Sequence, residues 1–349
     1  MTGGALDSVL DGLARFDGAL ASVDVDAAID VVEDLVAGGV DPITVLVDVI
    51  ASAQRTVGER WQRGEWSVAE EHAATAVSVS ATEAVARWVR RTPATRGRVV
   101  VACAEREWHA LPAMIVGTAL RAEGWDITLL GASTPPARLS QYLHDLGPDA
   151  TAVSCSVLGA LPTTRRFIEA STDAGIPVVV GGSAFGGDDR RAVALGATAW
   201  ASGAREAVAA VRSLPTVVAA ATPLSSPAAA EQSTLELNHR RLVTGLREGW
   251  SLAAQIVTTE TLPLDSLHAV AADVVNQAFH AVSAALLTGD PRTISGTAAW
   301  VADLLAARAV DPSLVGELGR LLTKDLRDYP IARSLVQHHW TDPITTGPR

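Results

Sequence analysis

The feature that most constrains this chain is a change of hydrophobic period near residue 97. From there to residue 214, five short apolar runs alternate with helical patterns. The runs are GRVVVACA, DITLLG, ATAVSCS, PVVVGG and ATAWA. The helical stretches fall near 113–123, 135–146, 161–174, 186–195 and 203–213. Strands that are apolar on both faces are buried between helix layers, so residues 97–214 are expected to form a doubly wound parallel α/β domain. In such a sheet, ligands sit beyond the carboxyl ends of the strands.

The flanks have a different rhythm. In residues 1–92, apolar residues recur three and four apart, in DAAIDVVEDLVAGG, ITVLVDVIASAQRTVGERW and VAEEHAATAVSVSATEAVARWV. Gly38-Gly39 stop one helix and Asp41-Pro42 start the next. Gly64 breaks that helix, and Ser67 with Glu70 forms a capping box for the following one. Four helices with short connections predict a four-helix bundle. Residues 215–233, rich in Ala, Pro and Ser, read as a linker. Residues 234–340 return to long helical periods and are expected to form an all-helical domain. Its breaks fall near Leu262-Pro263, Gly289-Asp290-Pro291, Asp311-Pro312 and Tyr329-Pro330, and the tail TDPITTGPR is expected to fray. The fold class is therefore α + α/β: bundle, α/β domain, helical domain.

Composition narrows the function. The start, MTGGALDSVLDGL, lacks the basic and apolar regions of a signal peptide. No run of about 20 uninterrupted apolar residues predicts a membrane span. The two cysteines, Cys103 and Cys155, lie in strand-like runs and read as buried hydrophobes, suited to a reducing cytoplasm. A net charge of −11 argues against direct nucleic-acid binding. Nine Trp, against four Phe and two Tyr, offer flat surface for ligands or simply fill core. No nucleophile–base pair, second metal cluster or phosphate loop suggests an enzyme.

Three motifs sit at expected strand ends. After VVVACA comes Glu107-Trp108-His109, where the carboxylate can hold the far imidazole nitrogen and leave the other for a metal. After the third strand comes Ser156-Val157-Leu158, and after the fourth Gly181-Gly182, where missing side chains would let a bulky ligand approach the backbone. In order, these resemble the cobalamin-binding domain of methionine synthase, mutases and corrinoid carriers, over about 120 residues. That resemblance implies that His109 is the lower cobalt ligand, displacing dimethylbenzimidazole, and that the nucleotide tail threads past Ser156 and Gly181-Gly182. Pro112 stands where the family motif has glycine.

The bundle carries a second motif. Trp61 ends one helix, and Val68, Glu71 and His72 share the first turns of the next, an indole, a small apolar residue, a carboxylate and an imidazole suited to a nucleoside. Trp followed by Glu-His in this spacing resembles the signature of CarH-type cobalamin photoreceptors, over residues 1–214. The resemblance implies a cap that holds the 5′-deoxyadenosyl group of adenosylcobalamin. It further implies that light breaks the cobalt–carbon bond, that the bundle moves, and that the oligomeric state changes. CarH proteins open on a DNA-binding helix-turn-helix module, whereas this sequence opens on the bundle. Some have a second cobalt-binding His after the Trp, where Gln62 stands here.

In residues 234–340, His268 shares an apolar stripe with Val275, Phe279, Val282 and Leu286, and His280 lies on its flank. Trp250, Trp300 and Tyr329 supply aromatic surface, and Arg240, Arg241 and Arg247 can pair with carboxylates. A cobalamin sensor half joined to a globin-like helical half looks like the photocobilins, which bind adenosylcobalamin and biliverdin. That implies His268 and His280 as biliverdin contacts. With no Cys after Cys155, such a bilin would lack a thioether link to this domain. Three readings follow: a non-enzymatic cytoplasmic light sensor forming light-controlled dimers or tetramers with a downstream effector, a corrinoid carrier for a methyltransferase, or a sensor whose helical domain only binds protein.

Overall fold

The structure, a computed structural model, describes residues 3–250 and 267–341. The chain forms two compact units, one of Met1–Trp61 with Val68–Ala221, the other of Gln62–Ser67 with Thr222–Arg349.

The first unit opens on the expected four-helix bundle: α1 (Gly3–Ala21), α2 (Val25–Ala37), α3 (residues 42–62) and α4 (Val68–Val89). Asp24 caps α2 by accepting from Ala27 N at 2.9 Å, and Gly38 and Gly39 end it. Asp41 accepts from Thr44 N at 3.1 Å with Pro42 in the first turn, so the chain can only start a helix there. α3 is not uniform. Between Pro42–Thr44 and Ala51–Gln62 it widens into a π segment, Val45–Ile50. Such segments are rare and frequently mark functional sites. Phe16, Leu20, Leu46, Ile50 and Val85 fill the bundle interior.

The α/β domain follows. Its elements are β1 (Arg98–Ala104), α5 (Ala110–Ala122), β2 (Asp126–Thr134), α6 (Pro136–Leu146), β3 (Ala150–Ser154), α7 (Leu161–Asp173), β4 (Val178–Gly181), α8 (Arg190–Ala194), β5 (Ala199–Ala201) and α9 (Ala204–Arg212). The five strands are all parallel in the order β2-β1-β3-β4-β5. β1 and β3 lie side by side, Val101 opposite Ala152, yet their crossovers leave to opposite sides. That is the switch point at which open α/β sheets form a ligand crevice. α5 packs with α9, and α6 with α7, the two layers covering the sheet.

The second unit is all helical among the described residues: α10 (Pro227–Leu237), α11 (His239–Gly249), α12 (Leu267–Thr288), α13 (Arg292–Ala306), α14 (Ser313–Asp325) and α15 (Pro330–His339). The linker reading of 215–233 needs correction at its end. Ser226 caps α10 by accepting from Ala229 N at 3.1 Å, Pro227 takes the first turn, and the alanines are strong helix formers. The predicted break at Leu262-Pro263 lies outside the described residues, as does 342–349. The Gly289-Asp290-Pro291 break is built by Asp290, buried, accepting from Arg292 N at 3.1 Å and Arg292 Nε at 2.8 Å. Val270–Thr288 is long and apolar enough to cross a membrane, and 72% of that window is buried inside the protein.

Candidate functional site

Everything distinctive about the site starts where β1 ends. The backbone turns through Arg106 at a left-handed φ of 72°. Ser133, itself at φ 48°, braces the turn: its Oγ accepts from Arg106 N at 3.2 Å and its N–H donates to Glu107 O at 2.8 Å. Two non-glycine residues in that region signal a loop held by its surroundings rather than by its own preference.

The turn drives Glu107 inward. Its side chain is 0% exposed and accepts from His109 Nδ1 at 2.6 Å, His109 N at 2.8 Å, Val157 N at 3.1 Å and Ser156 N. Burial alone would raise this carboxyl's pKa, but the hydrogen bonds from His109 and Ser156 outweigh it and hold the group below the ordinary carboxylate range. A carboxylate only accepts, so the imidazole proton sits on Nδ1 and the Nε2 lone pair is left for a ligand. His109 is 60% exposed. Its pKa is raised, first by the hydrogen bond to Glu107, against burial, and further by the charges of Glu107 and Glu71. His109 also caps α5, and Pro112 falls in that helix's first turn, where no intrahelical donor is lost.

A cavity of about 360 Å³ opens between the strand ends and α3. Ser156, Gly181 and Gly182 line it, with Pro112, Ser183 and Ala204. The glycine pair has a sharper reason than ligand access. A Cβ on Gly181 would lie 2.7 Å from Ala201 O, and one on Gly182, at φ 104°, would lie 2.3 Å from Cys155 O. The glycines first let neighbouring strand ends come together, and only then shape the cavity. Leu158 is half-buried and starts a short 3-10 turn away from the cavity lining.

In the bundle, Glu71 and His72 meet: Nδ1 of His72 lies 2.7 Å from Glu71 Oε2 and 2.8 Å from Val68 O. Val68 and His72 are exposed, while Glu71 and Trp61 are half-buried. The charge of Glu71 also acts on His109, so the two groups lie within electrostatic reach of each other. Sequence reading missed what ties Glu71 to the cavity. Thr75 Oγ1 donates to Glu71 at 2.9 Å, Gln54 Nε2 donates to Thr75 at 2.6 Å, and Ser78 donates to Gln54 Oε1 at 3.0 Å. Gln54 and its neighbour Arg55 line the cavity. Also missed was the pair joining cap to α/β domain: Arg205 at the start of α9 meets Asp48 of the π segment at 2.9 and 2.8 Å. These contacts join residues far apart in sequence, and no local pattern announces them.

Polar loops and a cavity of this chemistry fit a corrinoid. The imidazole presents Nε2, its tautomer is fixed by a buried acid, and the cavity behind it is apolar with serine hydroxyls at the strand ends. A cavity of this kind suits a flat heterocyclic tail, and the outward imidazole suits a borderline metal such as cobalt.

The second unit treats its predicted residues differently. His280 is half-buried, its ring 5.4 Å from that of His239 and 6.2 Å from that of Phe279. His268 lies in α12, its side chain outside the described residues. Trp250 and Tyr329 are core residues rather than exposed surface; Trp250 is 0% exposed and donates Nε1 to Leu314 O at 3.0 Å. Trp300 is half-buried, and Arg240, Arg241 and Arg247 are exposed.

Comparison with known proteins agrees with the geometry. Residues 97–212 match a B12 binding domain family, and residues 13–85 match a second family of the same description. The class is thereby defined: the first unit is a cobalamin-binding module of helical cap and parallel α/β domain. Within that class, the module is similar in sequence to two transcriptional repressors and to corrinoid proteins. It is 32% identical over 160 residues to the HTH-type transcriptional repressor CarH of Myxococcus xanthus, covering 44% of this chain and 52% of that protein. It is 33% identical over 118 residues to the repressor CarA of the same organism, covering 33% and 40%. The chain thus spans about half the length of those relatives or less. It is also 23% identical over 209 residues to trimethylamine corrinoid protein 1 of Methanosarcina acetivorans, covering 58% of this chain and 96% of that one. The monomethylamine corrinoid protein of Methanosarcina barkeri shares the fold, with a TM-score of 0.51 at 17% identity, over 58% of this chain and 98% of that one.

Proposed function

We propose that this chain is a light sensor rather than an enzyme, holding adenosylcobalamin between His109 and the Trp61/Val68/Glu71/His72 cap. The observation that carries the reading is His109 held by a buried carboxylate beside a cavity that Leu111 and Pro112 line together with Gln54 and Arg55 of the bundle. When bound, adenosylcobalamin supplies a cobalt–carbon bond that light can break. Glu107 keeps the proton on Nδ1 of His109, so Nε2 stays a σ-donor toward the metal. The indole of Trp61 and the Glu71 carboxylate grip a nucleoside, and Thr75 and Gln54 hold that carboxylate in place. With the nucleoside gone, α3 and α4 have lost their filling and move against the α/β domain. A change of homo-oligomeric state follows and is read by an effector protein, without nucleic-acid or membrane contact. The second unit binds biliverdin, with His280 and His268 near the pigment. The supporting observation there is the cluster of the half-buried rings of His239 and His280 with the buried Phe279.

The test is the visible spectrum of protein expressed with both cobalamin and a biliverdin source, before and after green light. An adenosylcobalamin band lost on illumination and a red-absorbing bilin band are expected. A cobalamin spectrum unchanged by light overturns the sensor reading, and the absence of red absorbance removes the bilin alone. The near-complete coverage of a corrinoid protein favours one alternative, a methyl carrier. That alternative predicts rapid methyl transfer from methylcobalamin-loaded protein to a thiol or folate partner.

A further inference from the structure

A second cavity, of about 500 Å³, lies on the other side of α5, against α4 and the edge strand β2. Its chemistry differs from that of the first. Arg87, Arg90 and Arg121 border it, and Met114 and Ile127 give it an apolar floor. Two acids share the lining, Glu83 and Asp126. Asp126 is already paired, with Arg98 Nε at 2.8 Å, and Arg87 reaches Glu33 only at 3.9 Å.

Arg121 is the telling residue. Its Nη2 donates to Thr92 O, but its Nη1 is buried with no hydrogen-bond partner among the described residues. A buried guanidinium N–H without an acceptor is costly, and an oxyanion there would recover that loss. The surrounding sequence is also unusual for an acidic protein. In a chain of net charge −11, RWVRRTPATRGR puts Arg87, Arg90, Arg91, Arg96 and Arg98 in one short stretch. A local excess of guanidinium groups over an apolar floor selects a planar or branched oxyanion carried on an apolar body.

We infer that this groove binds a phosphate monoester of nucleotide size, the phosphate against Arg121 and Arg90 and the apolar body against Met114 and Ile127. The groove takes residues from α4 of the bundle and from α5 and β2 of the α/β domain. An occupant would therefore tie cap to α/β domain at a place remote from His109. The inference does not depend on the light-sensing reading.

Isothermal titration of the full-length protein at constant ionic strength tests it, with AMP, inorganic phosphate and adenosine as probes. Saturable binding of AMP or of phosphate is expected, with adenosine at least about tenfold weaker than AMP. Arg121→Gln should weaken binding about tenfold, the loss of one charge-assisted hydrogen bond, and Arg121→Lys should restore part of it. Circular dichroism and cobalamin content identify any variant that fails to fold, and Arg90→Gln then serves in place of Arg121→Gln. No saturable binding of AMP or phosphate by the wild type, or equal affinity in wild type and the folded Gln variant, overturns the assignment.

Discussion

Glu107 is the residue on which the candidate site turns, because one carboxylate answers four donors from two strand-end loops. Glu107→Gln keeps the shape but offers a donor where backbone N–H groups need acceptors. Cobalamin affinity is expected to fall about 10- to 100-fold, the usual cost of losing a partner behind a metal ligand, as measured by equilibrium titration; unchanged affinity would remove Glu107 from the site. The thiols make a second residue-scale case. Burial, then the charge of Glu107, pushes Cys103 from 9.0 up to about 12, and burial does the same to Cys155. Both stay protonated in the fold while the unfolded chain would ionise them above about pH 9, so their contribution to stability is lost as pH climbs from there toward 12. At pH 8 the native protein should leave both cysteines unreacted with iodoacetamide, and the same protein in guanidinium should label both; rapid native labelling would contradict the buried strand positions. The Glu107-x-His109 spacing was legible in the sequence because the two residues touch within one turn. Ser133, Gln54 and Arg55 were not, because they reach the site from other strands and helices.

At the scale of elements, the period change at residue 97 read out β1 to β5 and the helices between them, since buried parallel strands leave continuous apolar runs. The same logic failed at 227–233. An alanine-rich stretch with prolines suits linker and helix alike, and only the Ser226 cap and the packing of α10 decide between them. Nor does composition announce a π segment. Its Asp48 meets Arg205, a pair in which both side chains are about 40% exposed, so each partner should add less than about 1 kcal/mol to global stability. The expected signature of Asp48→Asn is instead local: amide exchange in residues 42–62 rises several-fold while the melting temperature barely moves. Unchanged exchange would show that the pair does not hold cap to α/β domain. Arg55 belongs to the same helix and, among the described residues, is the one charged residue bordering the first cavity. Cobalamin's nucleotide tail carries one phosphodiester. Arg55→Ala should weaken adenosylcobalamin binding roughly fivefold, about 1 kcal/mol, and leave adenosylcobinamide, which lacks that tail, unaffected; equal losses for both would place Arg55 elsewhere.

For the whole molecule, the proposed sensor is one device of cap, base and α/β domain in which the bundle would be the moving part. The proposed sensor and the carrier alternative would share this base, so His109 bears on the cofactor and not on the use. In the proposed sensor the cap decides the use, and Trp61 is its bulkiest member. The central claim is that filling and emptying of this cap changes assembly. Gel filtration of one adenosylcobalamin-loaded sample, in the dark and again after green light, measures it, with Trp61→Ala beside it. A shifted elution volume is expected on illumination in the wild type, with a smaller or absent shift in the variant. An unchanged wild-type elution volume, with its adenosyl group still in place after light, would contradict it.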